Sequence, residues 1–292
     1  IHPRTALGIR SDGSQILYTV DGRIPDHSKG ATLDQLADRL LELGCVEAVN
    51  LDGGGSTALH AVYPGDASTA NVNRPAQAAL RNCANYILLT NSAPADGVLA
   101  NLHVYPFQVR MLAGATQAFT AKATDRNYYA VTAPGSYTYS ASSGLGTFSG
   151  DGIFTAGTAD RTGQVTLRYN SRIAGTAAVT IVSRPDSIAL ANQADGKAVT
   201  SPSATAGATI DLAATALWKR LPLVAQDSNF TWTVDGNIGT VDANGVLTVA
   251  KITSCTGIVT VASCGTKGTV AVSVVSEGER LETFESGAGL LV

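Results

Sequence analysis

The sequence predicts a multidomain chain in which a partial α+β domain is followed by two all-β sandwiches. Three observations carry this. Helix and strand signals alternate only within residues 1–93, helical periodicity stops at Pro94, and the remainder repeats itself at an offset of 93 residues. The expected boundaries are 1–93, 94–184 and 185–276, with 277–292 as a linker into a further module. A length of 292 residues suits two or three domains.

In the first region, "TALGIRSDGSQILYTVDGR" holds two alternating runs around Asp12-Gly13, a hairpin signal. "ATLDQLADRLLELGC" places Leu33, Leu36, Ala37, Leu40 and Leu41 on one helical face. Thr32 and Gln35 form a capping box, and Gly44 provides the stop. Strands are predicted at Val46–Leu51, Thr57–Val62 and Ala84–Thr90. These elements are too few to close a core by themselves, so an exposed apolar edge is expected unless another chain segment completes the sheet. The chain opens at Ile1 inside a strand-forming segment, and upstream sequence is expected to have been removed.

Beyond Pro94, "GTFSGDGIFT" at Gly146–Thr155 aligns without gaps to "GTVDANGVLT" at Gly239–Thr248. "YTY" at Tyr137–Tyr139 falls on "FTW" at Phe230–Trp232, and "AVTIV" at Ala178–Val182 on "AVSVV" at Ala271–Val275. Short strands with evenly spaced turn residues describe sandwiches of about 90 residues. Tyr139 and Trp232 read as core aromatics before they read as carbohydrate-stacking ones. The "W…GTVDANGVLTV" pattern resembles bacterial Ig-like domains of group 2, across residues 95–276.

Composition narrows the function. Charged residues are 15% and the net charge is -3, with no basic cluster, so nucleic acid is not an expected partner. No apolar run approaches the ~18 residues of a membrane span. The four cysteines fit no zinc pattern. Cys255 and Cys264 flank one strand; extended, the intervening chain spans roughly 30 Å, too far for a bridge. Cys45 and Cys83 can be read either as a pair or as buried thiols. No cofactor is called for. Asp21, Asp26 and Asp52 could hold a divalent cation, but they lack a recognisable loop spacing, and no metal is assigned.

The chemistry concentrates in "AVNLDGGGSTAL", Ala48 to Leu59. Consecutive glycines can present successive N–H groups to one anion. The P-loop lysine and the G-x-S-x-G spacing are both missing. Alone, Asp-Gly-Gly-Gly reads as a tight turn. In a chain this poor in charge, however, Arg4, Arg23 and Asp21 stand at strand ends, and Arg74 and Arg81 follow in "NVNRPAQAALRNCAN". Guanidinium groups suit bidentate binding of phosphate or carboxylate.

"HPRTALG", "VDGR", "GATLDQLADRLLELGCVEAVNLDGGGST" and "VNRP…R..AN", in that order across residues 2–90, resemble the phosphodiester glycosidase family. The family includes enzymes that remove N-acetylglucosamine from a sugar-1-phosphodiester. The resemblance implies that 1–93 is the C-terminal part of such a catalytic domain, which a separate N-terminal segment would complete. It implies a glycosidase acting on sugar-1-phosphodiesters, with a carbohydrate or phosphoglycan as partner. Asp52 is the first candidate for carboxylate work and Asp21 the second, equally readable as the residue orienting Arg4 or Arg23. Arg4 and Arg23 would clamp phosphate; Gly53, Gly54 and Gly55 would offer backbone N–H groups; Asn50, Ser56 and Arg81 would complete the substrate contacts. His2, His27 and His60 rate lower. The expected setting is a bacterial extracellular or cell-surface hydrolase. The competing class is a non-catalytic glycan- or phosphoglycan-binding surface protein whose Ig-like modules act as a stalk.

Overall fold

The computed structural model describes residues 1–25, 27–77, 79–83, 86–251 and 254–275. The tail expected to be a linker, residues 277–292, lies outside them. The chain forms two compact units: residues 1–101 with 122–133, and residues 102–121 with those from 134 onward. Most of the described structure is β.

In the first unit, β1 (Arg4–Arg10) and β2 (Gln15–Val20) form the expected hairpin, paired from Arg4↔Val20 to Ile9↔Gln15. Asp12 Oδ1 accepts from Ser14 N at 2.9 Å, and Gly13 takes φ +81 in the turn. Helix α1 (Leu33–Glu42) is capped at both ends as the sequence requires. Gln35 N donates to Thr32 Oγ1 and Thr32 N to Gln35 Oε1, while Gly44, at φ +83, donates to Leu41 O. β3 (Cys45–Asn50) returns antiparallel to β1, giving the order β2-β1-β3.

One core cluster ties these elements together: Ala6, Leu36, Leu40 and Cys45, with Ile16, Tyr18 and Val20 half-buried against it. Gly8 makes this approach possible, because a Cβ there would lie 2.5 Å from Cys45 Sγ. The apolar face of the helix is narrower than its periodicity suggests. Leu33 and Leu41 are 53% and 67% exposed and Ala37 is also exposed, since the three-stranded sheet covers only the Leu36–Leu40 line.

Two strand expectations need correction. Thr57–Val62 yields only β4 (His60–Val62), which pairs with β5 (Thr69–Asn71) rather than with the main sheet. Of Ala84–Thr90, residues 84 and 85 lie outside the described residues, and Tyr86–Thr90 forms no strand. A strand needs a partner edge for its N–H and C=O groups. Tyr86 to Leu89 find none and stay exposed, as do Val46 and Val49 on β3. The expected apolar edge is therefore present.

In the second unit the repeat is visible strand by strand. Gly146–Phe148 and Ile153–Ala156 recur as Gly239–Val241 and Val246–Val249, and Thr138–Ala141 as Thr231–Asp235. Pairing recurs too. Arg161–Arg168 runs antiparallel to Ala174–Val182, which runs parallel to Gln108–Leu112. Cys255–Ser263 runs antiparallel to Thr266–Val275, which runs parallel to Ser203–Thr205. The first strands break the offset, at Asn101–Tyr105 and Ser187–Asn192. Among the described residues neither repeat contains an α-helix.

Two large clusters fill the repeats, one around Met111, Phe154, Leu167 and Val179 and one around Leu212, Leu247, Val261 and Val272. Tyr139 and Trp232 pack against them half-buried. Each lies under the turn glycine at matching positions, Gly152 and Gly245, where a Cβ would come within 2.8 Å of the ring system. That is core packing. Cys255 and Cys264 are free and sit at the two ends of one strand; Cys45 is buried and free, Cys83 exposed and free. Among the described residues no helix is long and apolar enough to cross a membrane.

Candidate functional site

The site begins where β3 gives way to Asp52-Gly53-Gly54-Gly55-Ser56. Gly54–Ser56 form one 3-10 turn, closed by Ser56 N to Gly53 O and Thr57 N to Gly54 O. Gly54 has φ +64, a conformation glycine adopts without steric cost. The start of β1 braces the turn. Gly54 N donates to Pro3 O at 3.0 Å, and a Cβ on Gly53 would lie 2.7 Å from that oxygen and 3.6 Å from Arg4 Cα. Thr57 is buried, and its hydroxyl accepts from Thr5 Oγ1.

Two of the three N–H groups expected to be free, those of Gly53 and Gly54, are engaged within the chain. Gly53 N donates to Asp52 Oδ1 at 2.8 Å and Gly54 N to Pro3, because the chain turns back on itself and satisfies its own donors. The missing side chains serve another purpose. A Cβ on Gly54 would meet the Arg23 guanidinium at 3.4 Å, and one on Gly55 would sit 2.8 Å from Arg81 Nη2 and 3.2 Å from Gln77 Cδ. The glycines make room for two arginines.

Arg23 is itself held at φ 59, and its Nη2 bonds His2 Nδ1 at 2.8 Å. Arg4 is partly committed, donating from Nε to Ala31 O at 3.0 Å.

Of the two candidate carboxylates, Asp21 is the better anchored. It accepts from His27 Nε2 at 2.8 Å, Asn73 Nδ2 at 3.0 Å and Arg74 N at 3.0 Å. Burial pushes its pKa up, and the hydrogen bonds from His27, Asn73 and Arg74 more than offset this, leaving it below the ordinary value. Asn73 also accepts from Leu59 N and donates to Thr57 O. Asp21 thus ties the β2 end to the chain that leaves the glycine turn.

A cavity of about 1090 Å3 opens over this turn, lined among others by Thr5, Leu17, Asp52, Gly55, Ser56 and Arg81. Asp52 is exposed, its Oδ1 taken only by the Gly53 N–H. Cys83, Tyr86 and Ile87 close the far wall. Of the sequence-predicted residues, Asp52, Gly55, Ser56 and Arg81 line the cavity; Arg23 packs against the neighbouring Gly54. Arg4, Asp21, Gly53 and Asn50 are not among its lining. Asn50 donates to Leu51 O and is exposed. Asn73, Gln77 and His27 had no strong sequence signal, although the quoted "VNRP" block contains Asn73.

Residues 1–90 match the phosphodiester glycosidase family. The SPbeta prophage-derived uncharacterized protein YomE of Bacillus subtilis (strain 168) is 47% identical over 64 residues, which are 21% of this chain and 10% of that protein. Among solved structures, domains 5-6 of the S-layer protein SbsC give a TM-score of 0.29 at 17% identity, covering 61% of this chain and 98% of theirs. The Yersinia pseudotuberculosis adhesin InvE gives 0.25 at 19% identity, covering 62% and 61%. TM-scores this low carry no argument about function.

Proposed function

We propose that residues 1–93 are part of a catalytic domain that hydrolyses sugar-1-phosphodiesters of the N-acetylglucosamine-1-phosphodiester type. The observation that carries the reading is the convergence of Asp52, Arg81 and Ser56 on one cavity over the glycine turn, with Arg23 against Gly54. Water adds to the anomeric carbon, the bond from that carbon to the phosphate oxygen breaks with its electron pair going to oxygen, and free sugar is released. The departing phosphomonoester has a second pKa of about 6, so it leaves without a strong general acid. What remains is cationic stabilisation of the phosphate and a carboxylate that directs water or stabilises an oxocarbenium ion.

Arg23 and Arg81 suit the first task and Asp52 the second. Asp21 accepts from His27, Asn73 and Arg74 N and, among the described residues, makes no hydrogen bond or ion pair with Arg4 or Arg23, so its part in this reading is to hold the chain that leaves the glycine turn. Arg4, fixed to Ala31, supports the loop. The two β repeats would serve as spacers of a bacterial extracellular or surface protein, with boundaries at 94–184 and 185–276. The test is release of N-acetylglucosamine from a synthetic N-acetylglucosamine-1-phosphodiester by the full-length protein. Binding of that diester without release would favour the non-catalytic reading instead.

A further inference from the structure

We propose that a second ligand site lies at the junction of the two β repeats, and that it takes a glycan bearing carboxylate or phosphate groups. A cleft of about 380 Å3 is lined there by Asp160, Arg161, Thr162, Thr180 and Arg184 of the first repeat and by Trp218 of the second. Its volume lies in the range of small-ligand sites.

The cleft is built rather than accidental. The two repeats that form it are joined by main-chain bonds: Leu112 N donates to Val224 O at 2.9 Å and Val224 N to Arg110 O at 2.8 Å. Gln226 adds a two-point clamp, accepting from Thr116 N at 2.7 Å and donating to Thr116 O at 2.9 Å. Ala216 and Leu223 of the second repeat are buried in the first repeat's core. A ligand spanning both walls would meet a surface that needs little reordering, which keeps the entropic cost of binding low.

The chemistry of the walls selects an anion. Among the described residues neither Arg161 nor Arg184 enters an ion pair, so both guanidinium forks are available. Arg161 packs over Gly144, where a Cβ would come within 3.2 Å of its Nε. Lys219 Nζ lies 4.4 Å from the centroid of the Trp218 ring, beside the lining residues rather than among them. The opposing carboxylate, Asp160, already accepts from Ser183 N at 2.6 Å. Thr162 and Thr180 are cross-strand neighbours whose hydroxyls can meet sugar hydroxyls, and the indole supplies an apolar wall. Oxyanion, hydroxyl and apolar edge together describe an acidic sugar.

The test uses the 15N-labelled full chain at low salt, reading the two indole N–H signals, assigned by Trp218→Phe. Trigalacturonate or glucose 6-phosphate should move the Trp218 signal saturably, while maltotriose leaves it in place and the core Trp232 stays still. Arg161→Gln with Arg184→Gln should weaken binding at least tenfold. Arg184→Lys, which keeps the charge and loses the fork, should weaken it severalfold. Equal shifts with maltotriose, an unmoved Trp218, or unchanged binding by the double variant would each overturn the proposal. So would inorganic phosphate binding as tightly as either sugar, because the site would then recognise an anion and no glycan.

Discussion

The β repeats and the glycine-turn region are held together by different physics. Each repeat has its own large apolar cluster, with Phe154, Leu167 and Val179 in one and Leu247, Val261 and Val272 in the other, all essentially without solvent contact. The first region buries only Ala6, Leu36, Leu40 and Cys45 in its cluster. Beyond them, its site loops are fixed by polar contacts, chiefly those of Asp21, Asn73 and Pro3. The difference teaches that a region can be positioned by hydrogen bonds that leave its surface open, whereas the repeats are held by burial.

The comparison can be broken at its strongest point first. Phe154→Ala should destabilise the repeat unit by about 3–5 kcal/mol, because it removes a fully buried ring from a packed cluster. Chemical denaturation would register this as a lower midpoint, and a loss below about 1 kcal/mol would contradict the burial account. Arg81→Ala should weaken phosphodiester binding by about 1.5–3 kcal/mol, the worth of a charge-assisted hydrogen bond, with the melting of the repeats unaltered. Calorimetric titration distinguishes this from general unfolding. Thr32→Ala removes one half of the capping box and should cost about 1 kcal/mol, read as a lower melting temperature of the first unit.

The smallest effect sharpens the polar side of the comparison. Asp21 has its folded pKa lowered, so its contribution is present above its ordinary value of 3.8 and is lost as pH falls through the folded value. Asp21→Asn should therefore be less stable than the parent at pH 7, with the gap shrinking as pH drops below 3.8. A gap that stays constant into acid would mean that Asp21 contributes by shape and not by charge.

Legibility in the sequence follows the same division. Local patterns were readable: the Asp12-Gly13 hairpin, the Thr32–Gln35 box, and the repeat that places Tyr139 and Trp232 under matching glycines. Each depends on residues close in sequence, or on a pattern that recurs. Pairing was less readable. Tyr86–Thr90 has strand-forming side chains, yet propensity supplies no partner edge. Leu33 and Leu41 obey helical period, but how much of a helix is covered depends on the sheet beneath it. At the site, the sequence pointed to Asp52 and the glycines while misassigning what the glycines do. The Gly53 and Gly54 N–H groups turn inward, and the space left at Gly54 and Gly55 is filled by Arg23 and Arg81, a long-range contact that no local spacing announces. Asn73 and Gln77 were hidden for the same reason.

The central claim is that Asp52 performs the carboxylate chemistry while the arginines hold the phosphate. The most direct measurement compares turnover and binding of an N-acetylglucosamine-1-phosphodiester by full-length parent and Asp52→Asn protein. The account predicts a fall in kcat of about 10²–10⁴-fold, the range of general acid–base contributions, with binding changed by less than about threefold, since the amide keeps the carboxylate's shape and its neighbours. Near-normal turnover by Asp52→Asn would contradict it, leaving Asp52 as the residue that caps Gly53 and nothing more.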